Sequence, residues 1–288
     1  MFILIGYVVS IVTIFGGYIV AGGHIAALFQ PIELVMIFGG AFGAFLGGNG
    51  GKPFKGIGKA VPGVFKGSKV TKDLFLELFT LLFEILSKAR KEGLMSIEAD
   101  IEDAHASPIF TKYPKVLSDH HIVDFISDYL RMMVSGNLNA MEMENLMDLE
   151  IDTHHLEGHA PIGAVQGLAD GMPAFGIVAA VMGVVHCMES LFLPPNELGI
   201  LIAHALVGTF LGILLSYGFV APIAAAMVHR LEDETVIYKC IKMVLMASVN
   251  GAAPQACVEF GRKALFSTDR PSFAELEEHV KQSRNSGK

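Results

Sequence analysis

Hydroxyl and imidazole side chains are the candidates for ion chemistry inside the long apolar stretches of this chain. The fourth stretch carries Thr209 and Ser216 near its middle, with Tyr217 directly after them. His186 and His204 lie nearer one end of the two stretches that hold them. Polar side chains within a membrane are the first candidates for function, because burying them there is costly. For each histidine, an interfacial, hydrogen-bonded ring is as good an interpretation as a proton relay.

A carboxylate is missing from this set of candidates. No Asp or Glu lies deep in any of the four apolar stretches. Chains of acidic side chains are a usual means of moving protons through a membrane. If an ion crosses here, we therefore expect the acid that binds and releases it to come from a partner subunit.

Two other kinds of chemistry are disfavoured. An intramembrane hydrolase needs a nucleophile and a base together, and no deep Ser, Cys or Asp is arranged with either His186 or His204 in a recognisable motif. His155 and His159 are one helical turn apart and could form half of a metal site. Because no further ligands follow at a set spacing, we interpret this histidine-rich stretch as a solvated helix end and predict no metal and no cofactor.

The elements that must position the candidates are four membrane-spanning helices. A helix needs about 20 mostly apolar residues to cross a bilayer. Stretches 3–20, 34–48, 173–185 and 198–220 meet or approach that length, and the last two form a hairpin around Pro194 and Pro195. Small residues recur on both arms of the hairpin, which favours close helix packing. They are Gly176, Ala180 and Gly183 on one arm and Ala205, Gly208 and Gly212 on the other.

Composition agrees with a membrane protein that keeps substantial mass in water. Of the 288 residues, 52% are hydrophobic and 17% are charged. We predict an all-α integral membrane protein with four transmembrane helices and a cytoplasmic helical bundle. Its segments are spans one and two at 1–51, a cytoplasmic domain at 52–172, spans three and four at 173–222, and a cytoplasmic helix and tail at 223–288.

Lys and Arg predict the orientation, because cytoplasmic loops hold an excess of them. Of the 21, 12 lie between Lys52 and Arg131 and 9 lie between Arg230 and Lys288. Both termini and the long middle segment are therefore expected in the cytoplasm. The net charge of −8 argues against a nucleic-acid partner. The lysines that follow the second span are explained by anionic lipid head groups.

The water-exposed part is predicted to be helical, with a connector at 52–69 and helices at 71–92, 115–133 and 138–155. The fourth span is expected to continue into a helix that ends near Gly261. Arg90 falls opposite the polar stripe of helix 71–92, so it must pair internally or meet another protein. A further helix begins near Ser96, with Glu98 in its first turns.

Two stretches carry a resemblance to a known family. The run DGMPAFGIVAAVMGVV at 170–185 resembles the third span of the MotA subunits of bacterial flagellar stators. ALVGTFLGILLSYGFVAP at 205–222 is similar to the fourth span of that family, including Gly208, Thr209, Gly212 and Pro222. The resemblance extends over the four spans, the large loop and the tail. The chain is identified as a member of the MotA/TolQ/ExbB superfamily.

The resemblance implies a multi-pass protein of the bacterial inner membrane that is not an enzyme. Copies of it would surround two single-span MotB helices, whose aspartate carries the ion, and ion flow would drive motility and chemotaxis. Arg90 and Glu98 would contact the rotor protein FliG, and Pro173 and Pro222 would be needed for torque.

We place Thr209, Ala180 and Tyr217 along the ion path. Sodium-using relatives tend to carry threonine where this chain has Ala179 and Ala180, and sodium needs several oxygen ligands. We therefore expect protons. An energiser of the ExbB or TolQ type has three spans, so the four spans here count against it. A passive scaffold is the remaining alternative.

Overall fold

The structure is a computed structural model that describes residues 2–50, 52–67, 69–136 and 139–286. All regular secondary structure in these ranges is helical. The α-helices are α1 (Phe2–Val20), α2 (Ile25–Leu28), α3 (Pro31–Gly48), α4 (Lys52–Phe65), α5 (Lys72–Glu92), α6 (Glu98–Glu102), α7 (Pro114–Leu117), α8 (His120–Ser135), α9 (Ala140–Glu189), α10 (Pro195–Ile213), α11 (Ala221–Val249), α12 (Pro254–Ala264) and α13 (Phe273–Ser286). Two 3-10 turns lie at Leu94–Ile97 and Phe110–Lys112, and a π-helical segment at Leu214–Val220 joins α10 to α11.

Four helical segments of the described chain are long and apolar enough to cross a membrane. They are Phe2–Val20, Ile25–Gly48, Ala140–Glu189 and Pro195–Val249. The prediction of an all-α integral membrane protein with four spans is confirmed. The last two segments extend well past the apolar stretches because polar helices continue them without a break. The helix predicted at 138–155 is thus the first part of α9, and Leu138 itself lies outside the described residues.

The chain forms two compact units. Met1–Gly67 and Glu157–Arg230 make up one of them, which we call the membrane unit. Ser68–Leu156 and Leu231–Lys288 make up the other, the bundle unit. The four-part division given by the sequence follows membrane boundaries, and it stays a prediction.

The membrane unit has a small core where three helices meet. Its buried residues are Ile37 and Ala41 from α3, Met172 and Ala179 from α9, and Val207 and Leu211 from α10. Helix α1 has no buried residue. Its apolar side chains are thus free to face lipid or neighbouring chains, as expected for a helix at the edge of a membrane protein.

The bundle unit has the larger core, built around α5. The Thr71 hydroxyl accepts a hydrogen bond from the Leu74 backbone N–H and caps the start of that helix. Gly93 ends it with a positive φ of 92°, a conformation that glycine adopts without strain. The helix predicted at 71–92 is therefore confirmed. Its fully buried side chains include Leu78, Phe79, Leu81, Leu82 and Ile85.

The connector predicted at 52–69 is instead mostly helix α4, although Pro62 lies inside it. Its Gly and Pro content argued for a loop, but tertiary contacts override local propensity here. Gly56 packs closely against the ring of Pro161, since an added Cβ would lie 3.2 Å from that ring. The Arg230 guanidinium donates a hydrogen bond of 2.6 Å to the Gly63 carbonyl oxygen.

Two other helix boundaries were predicted wrongly. Helix 115–133 is two helices, because the Asp119 side chain accepts a hydrogen bond from the His121 N–H and starts α8 afresh. The helix that follows the fourth span ends at Val249, 12 residues before Gly261. Gly251 then adopts a φ of 84°, and the next helix starts only at Pro254.

Candidate functional site

Helices α9 and α10 pack with their backbones almost in contact. A Cβ added to Gly176 would lie 2.9 Å from the Gly208 carbonyl oxygen, and one added to Gly212 would lie 2.8 Å from the Met172 carbonyl oxygen. Further along, a Cβ on Gly183 would lie 2.8 Å from that of Ala205. The small residues of the two arms thus pack against each other, as the sequence pattern indicated.

Thr209 lies next to this contact, and its hydroxyl has no hydrogen-bond partner among the described residues. Four other helical threonines donate to the carbonyl oxygen one turn earlier, a common habit of this residue. They are Thr13, Thr80, Thr153 and Thr235, at 2.7 to 2.8 Å. Thr209 makes no such bond to Ala205. Its half-buried hydroxyl is therefore available to a group from outside the chain.

Ala180 lies across the same contact. Its backbone nitrogen would be 3.1 Å from a Cβ on Gly208, and the Ala179 methyl group would be 3.3 Å away. Where α9 faces Gly208, the residue before Thr209, it thus carries methyl groups and no side-chain oxygen.

The π-helical segment contains Tyr217, the third predicted residue of the ion path. Tyr217 is 63% exposed, whereas its neighbour Ser216 is fully buried. The Ser216 hydroxyl oxygen has no partner in the described part of the chain. A π turn displaces the hydrogen-bond ladder by one residue, and such turns are often found at functional sites.

Pro222 follows this segment as the second residue of α11. It has no N–H to donate to the Gly218 carbonyl, the acceptor that an α-helix would use. Pro173 lies inside α9 and similarly leaves the Ala169 carbonyl without its usual donor. Both predicted prolines therefore interrupt a hydrogen-bond ladder within the membrane unit.

One carboxylate of the membrane unit was missed from the sequence. The second span was expected to start at residue 34, but α3 begins at Pro31, which puts Glu33 in its first turn. Glu33 is only 8% exposed, and its Oε2 atom has no hydrogen-bond partner among the described residues. That atom would lie 3.0 Å from a Cβ on Gly208. The expectation concerned acids deep in the spans, whereas Glu33 lies in the first turn of α3. Pro31, a favoured first helical residue, was the signal that places Glu33 inside the helix.

Arg90 lies on the surface of the bundle unit, in the last turn of α5. Its Nη1 atom donates a hydrogen bond of 3.1 Å to the Ala252 carbonyl oxygen. The internal partner is thus a neutral carbonyl, and no ion pair of Arg90 is found in the described ranges. Burial raises the pKa of the nearby Cys257 thiol, and the positive charge of Arg90 opposes that shift.

Glu98 is also exposed, at the start of α6. Nearby, the Lys88 ammonium is 2.7 Å from the buried Asp100 carboxylate, which also accepts a hydrogen bond from the Ser107 hydroxyl. The buried charge of this region is therefore neutralised by Lys88, which leaves Arg90 and Glu98 to solvent or to a partner.

The histidine-rich stretch lies in the middle of α9 and not at a helix end. The His154 ring packs 4.8 Å from the Tyr238 ring and 6.2 Å from the His121 ring, measured between centroids. No group of three or more potential metal ligands occurs in the described residues. Stacking against neighbouring rings gives His154 a structural place in the bundle.

Sequence comparison identifies the family. Residues 4–93 match the family described as motility protein A N-terminal, and residues 118–239 match the MotA/TolQ/ExbB proton channel family. Motility protein A of Salmonella typhimurium is 52% identical over 285 residues, which cover 99% of this chain and 97% of the relative. This chain belongs to the MotA/TolQ/ExbB proton channel family. Motility protein A of Escherichia coli is 50% identical over the same share of both chains.

Solved structures of this family have the same fold. A chain of the flagellar MotAB stator complex from Bacillus subtilis superposes with a TM-score of 0.77 at 25% identity, over 94% of this chain and 98% of that one. C. jejuni MotAB gives a TM-score of 0.78 at 20% identity, over the same shares. The sequence-based identification as a MotA-type stator subunit, and not an enzyme, is confirmed, and the ExbB or TolQ type of energiser is not favoured.

Proposed function

We propose that this chain forms, with further copies of itself and with MotB, a stator that couples inward proton flow to torque on the rotor protein FliG. The observation that carries the proposal is the free Thr209 hydroxyl beside the close contact of α9 and α10. It offers a hydroxyl to an ion-carrying partner helix beside the small residues of α9 and α10. The same coupling would serve motility and chemotaxis.

The partner is expected to supply the ion-carrying aspartate on a single-span helix. In α9, no Asp or Glu lies between residues 171 and 188. None lies between 198 and 228 either, a range that covers most of α10, the π-helical segment and the start of α11. The apolar, unburied surface of α1 gives a ring of copies the area it needs to pack within the membrane. Support for MotB and for the ring comes from the MotAB complexes with which the fold agrees.

The ion is proposed to be a proton, with sodium as the less favoured alternative. Sodium needs several oxygen ligands to replace its water shell. Ala179 and Ala180 carry methyl groups and no side-chain oxygen near Gly208, where a sodium-binding wall would need oxygen ligands. One hydroxyl can hydrogen-bond a protonated carboxyl group, which is all that a proton carrier requires.

The rotor contact is proposed at Arg90 and Glu98. Both are exposed, and neither forms an ion pair in the described residues, which is the condition for pairing with charges on another protein. With the bundle unit and both termini in the cytoplasm, as the distribution of Lys and Arg favours, these residues would face the rotor from the inner-membrane side.

A deletion strain with an otherwise complete flagellum tests the proposal. Expression of this chain should restore swimming, and stall torque should follow the transmembrane pH gradient at constant external sodium. Restoration that follows sodium would overturn the choice of ion. Failure to restore swimming, with normal amounts of the chain and of MotB in the membrane, would overturn the proposal as a whole.

A further inference from the structure

The structure places one acidic side chain where the proposed function does not yet use it. Glu33 projects from the first turn of α3 against the backbone of α10. The carboxylate oxygen Oε2 lies against Gly208, the residue before Thr209, and would be 3.0 Å from a Cβ added there. This oxygen has no hydrogen-bond partner within the described chain.

A buried carboxylate without a partner needs an explanation. Burying an ionised carboxylate in apolar surroundings costs much more than burying the neutral acid, unless a positive charge or hydrogen-bond donors compensate. The buried Oε2 atom, which has no donor in the described chain, therefore favours a protonated carboxyl group unless a positive charge nearby matches it. A group that alternates between the protonated form and the charge-matched, ionised form binds and releases a proton.

His204 is the candidate for a matching charge. It lies one turn before Gly208 on α10, and its charge acts on the Glu33 carboxylate. Two other histidines belong to neighbouring elements, namely His186 on α9 and His24 before α2, and neither is among the charges that act on Glu33.

We propose that Glu33 is a transient proton-binding site of the ion path, with His204 as its charge partner. The inference rests on the proposed function. The Glu33 carboxylate takes a proton from water on the outer side, which gives a neutral carboxyl group. That group then passes the proton to the next acceptor, the carboxylate of the partner's aspartate, and returns to its ionised form beside His204. No bond other than the transferred O–H bond is made or broken.

The test uses the complete complex with MotB, reconstituted in vesicles or expressed in cells, and measures proton uptake and motor speed against external pH. Glu33→Gln keeps the size of the side chain but cannot exchange a proton. Proton uptake should fall on the order of tenfold, with normal amounts of complex. Glu33→Asp should retain part of the uptake. His204→Gln should conduct, but the dependence of its speed on external pH should change, because the imidazole proposed as the partner of Glu33 is gone.

Glu197→Gln is the matched control. Glu197 is an exposed carboxylate in the first turn of α10, so the same change of charge is made without removing a buried acid. It should behave like the wild type. The proposal is overturned if Glu33→Gln takes up protons as Glu197→Gln does, or if Glu33→Gln fails to assemble, since the carboxylate would then serve assembly. A wild-type complex that takes up no protons would instead refute the proposed function.

Discussion

The Tyr7 hydroxyl donates a hydrogen bond of 2.6 Å to the Phe219 carbonyl oxygen, and so joins the first span to the π-helical segment of the fourth. The two rings also pack, with centroids 5.2 Å apart. A π turn followed by a proline leaves carbonyl groups without their usual donors, and unsatisfied carbonyls are costly inside a membrane. The Tyr7 hydrogen bond and ring contact hold α1 against this irregular segment.

Tyr7→Phe should loosen this contact without breaking the fold. Hydrogen bonds of this kind within membranes contribute about 0.6 kcal/mol on average, so the complex should assemble but unfold at a slightly lower temperature. Thermal unfolding of the purified complex checks this. Tyr18→Phe is the control, because the Tyr18 hydroxyl forms no hydrogen bond in the described residues. Equal unfolding temperatures for the two variants would assign no role to the Tyr7 hydroxyl.

The second prediction concerns the prolines at the interrupted ladders. Pro173→Ala and Pro222→Ala should each restore a backbone donor, to the carbonyls of Ala169 and Gly218 respectively. A helix that regains these hydrogen bonds bends less readily at that point. We expect both variants to assemble with MotB and to lose torque, as measured by the speed of tethered cells under high load.

Pro195→Ala is the control for both prolines. Pro195 is the first residue of α10, a position where the missing N–H has no intrahelical partner to lose. Its replacement should leave torque unchanged. Normal speed of Pro173→Ala under high load would show that the interruption of α9 is not used in torque generation.

The third prediction is that Arg90 and Glu98 serve the rotor contact and not the fold. Exposed charge pairs contribute about 0 to 1 kcal/mol each, so one neutralisation should weaken swimming and the double neutralisation should weaken it far more. Reversal of the charge at Arg90 should be rescued in part by reversal of a charge on the rotor protein. Swarm diameter, with the membrane level of each variant, is the measurement.

Two lysines next to Arg90 separate contact from stability. Lys91→Ala removes an exposed charge one residue away and should leave swimming nearly unchanged. Lys88→Ala removes the partner of the buried Asp100 carboxylate and should lower the amount of folded protein, because an unpaired buried charge is strongly destabilising. If Arg90→Ala lowers the membrane level as Lys88→Ala does, the hydrogen bond to Ala252 is structural and the rotor assignment is wrong.

The spans and their packing face could be predicted because they depend on short-range rules. Length and apolar composition decide which helices cross a membrane. The recurrence of Gly and Ala every three or four residues decides which helix faces can approach closely. The same rules missed Glu33. A boundary drawn at the first unbroken apolar run, residue 34, excluded an acid that the helix start at Pro31 includes. It packs against Gly208, 175 residues later, and no local pattern links the two.

The helix boundaries in the water-exposed part failed for a related reason. The predicted helix at 115–133 includes Asp119 in its interior, although an Asp can equally cap a new helix. The sequence predicts a connector where α4 lies because Gly56, Gly58, Pro62 and Gly63 are poor helix formers. The contacts that hold α4, from Pro161 and Arg230, come from residues about 100 or more positions away.

The last prediction concerns Thr209, which we place beside the aspartate of the partner helix. A carboxyl group buried in lipid holds its proton more firmly than one in water, and a nearby hydroxyl can stabilise the form that results from release. Thr209→Val keeps the shape of the side chain and removes only the hydroxyl. Motor speed should fall, or its dependence on external pH should shift, while the complex stays assembled. Thr209→Leu should in addition disturb the packing beside Gly208.

Thr13→Val is the control for the hydroxyl. Thr13 is exposed on α1, and its hydroxyl is already bound to the Val9 carbonyl oxygen at 2.7 Å. Its loss removes the same atoms from a membrane helix without changing the ion path, so speed at every external pH should match the wild type. The competing interpretation is that the Thr209 hydroxyl bonds back to the Ala205 carbonyl once the partner is present. In that case Thr209→Val and Thr13→Val would give the same curve of speed against pH at normal expression, and the hydroxyl would have no part in proton release.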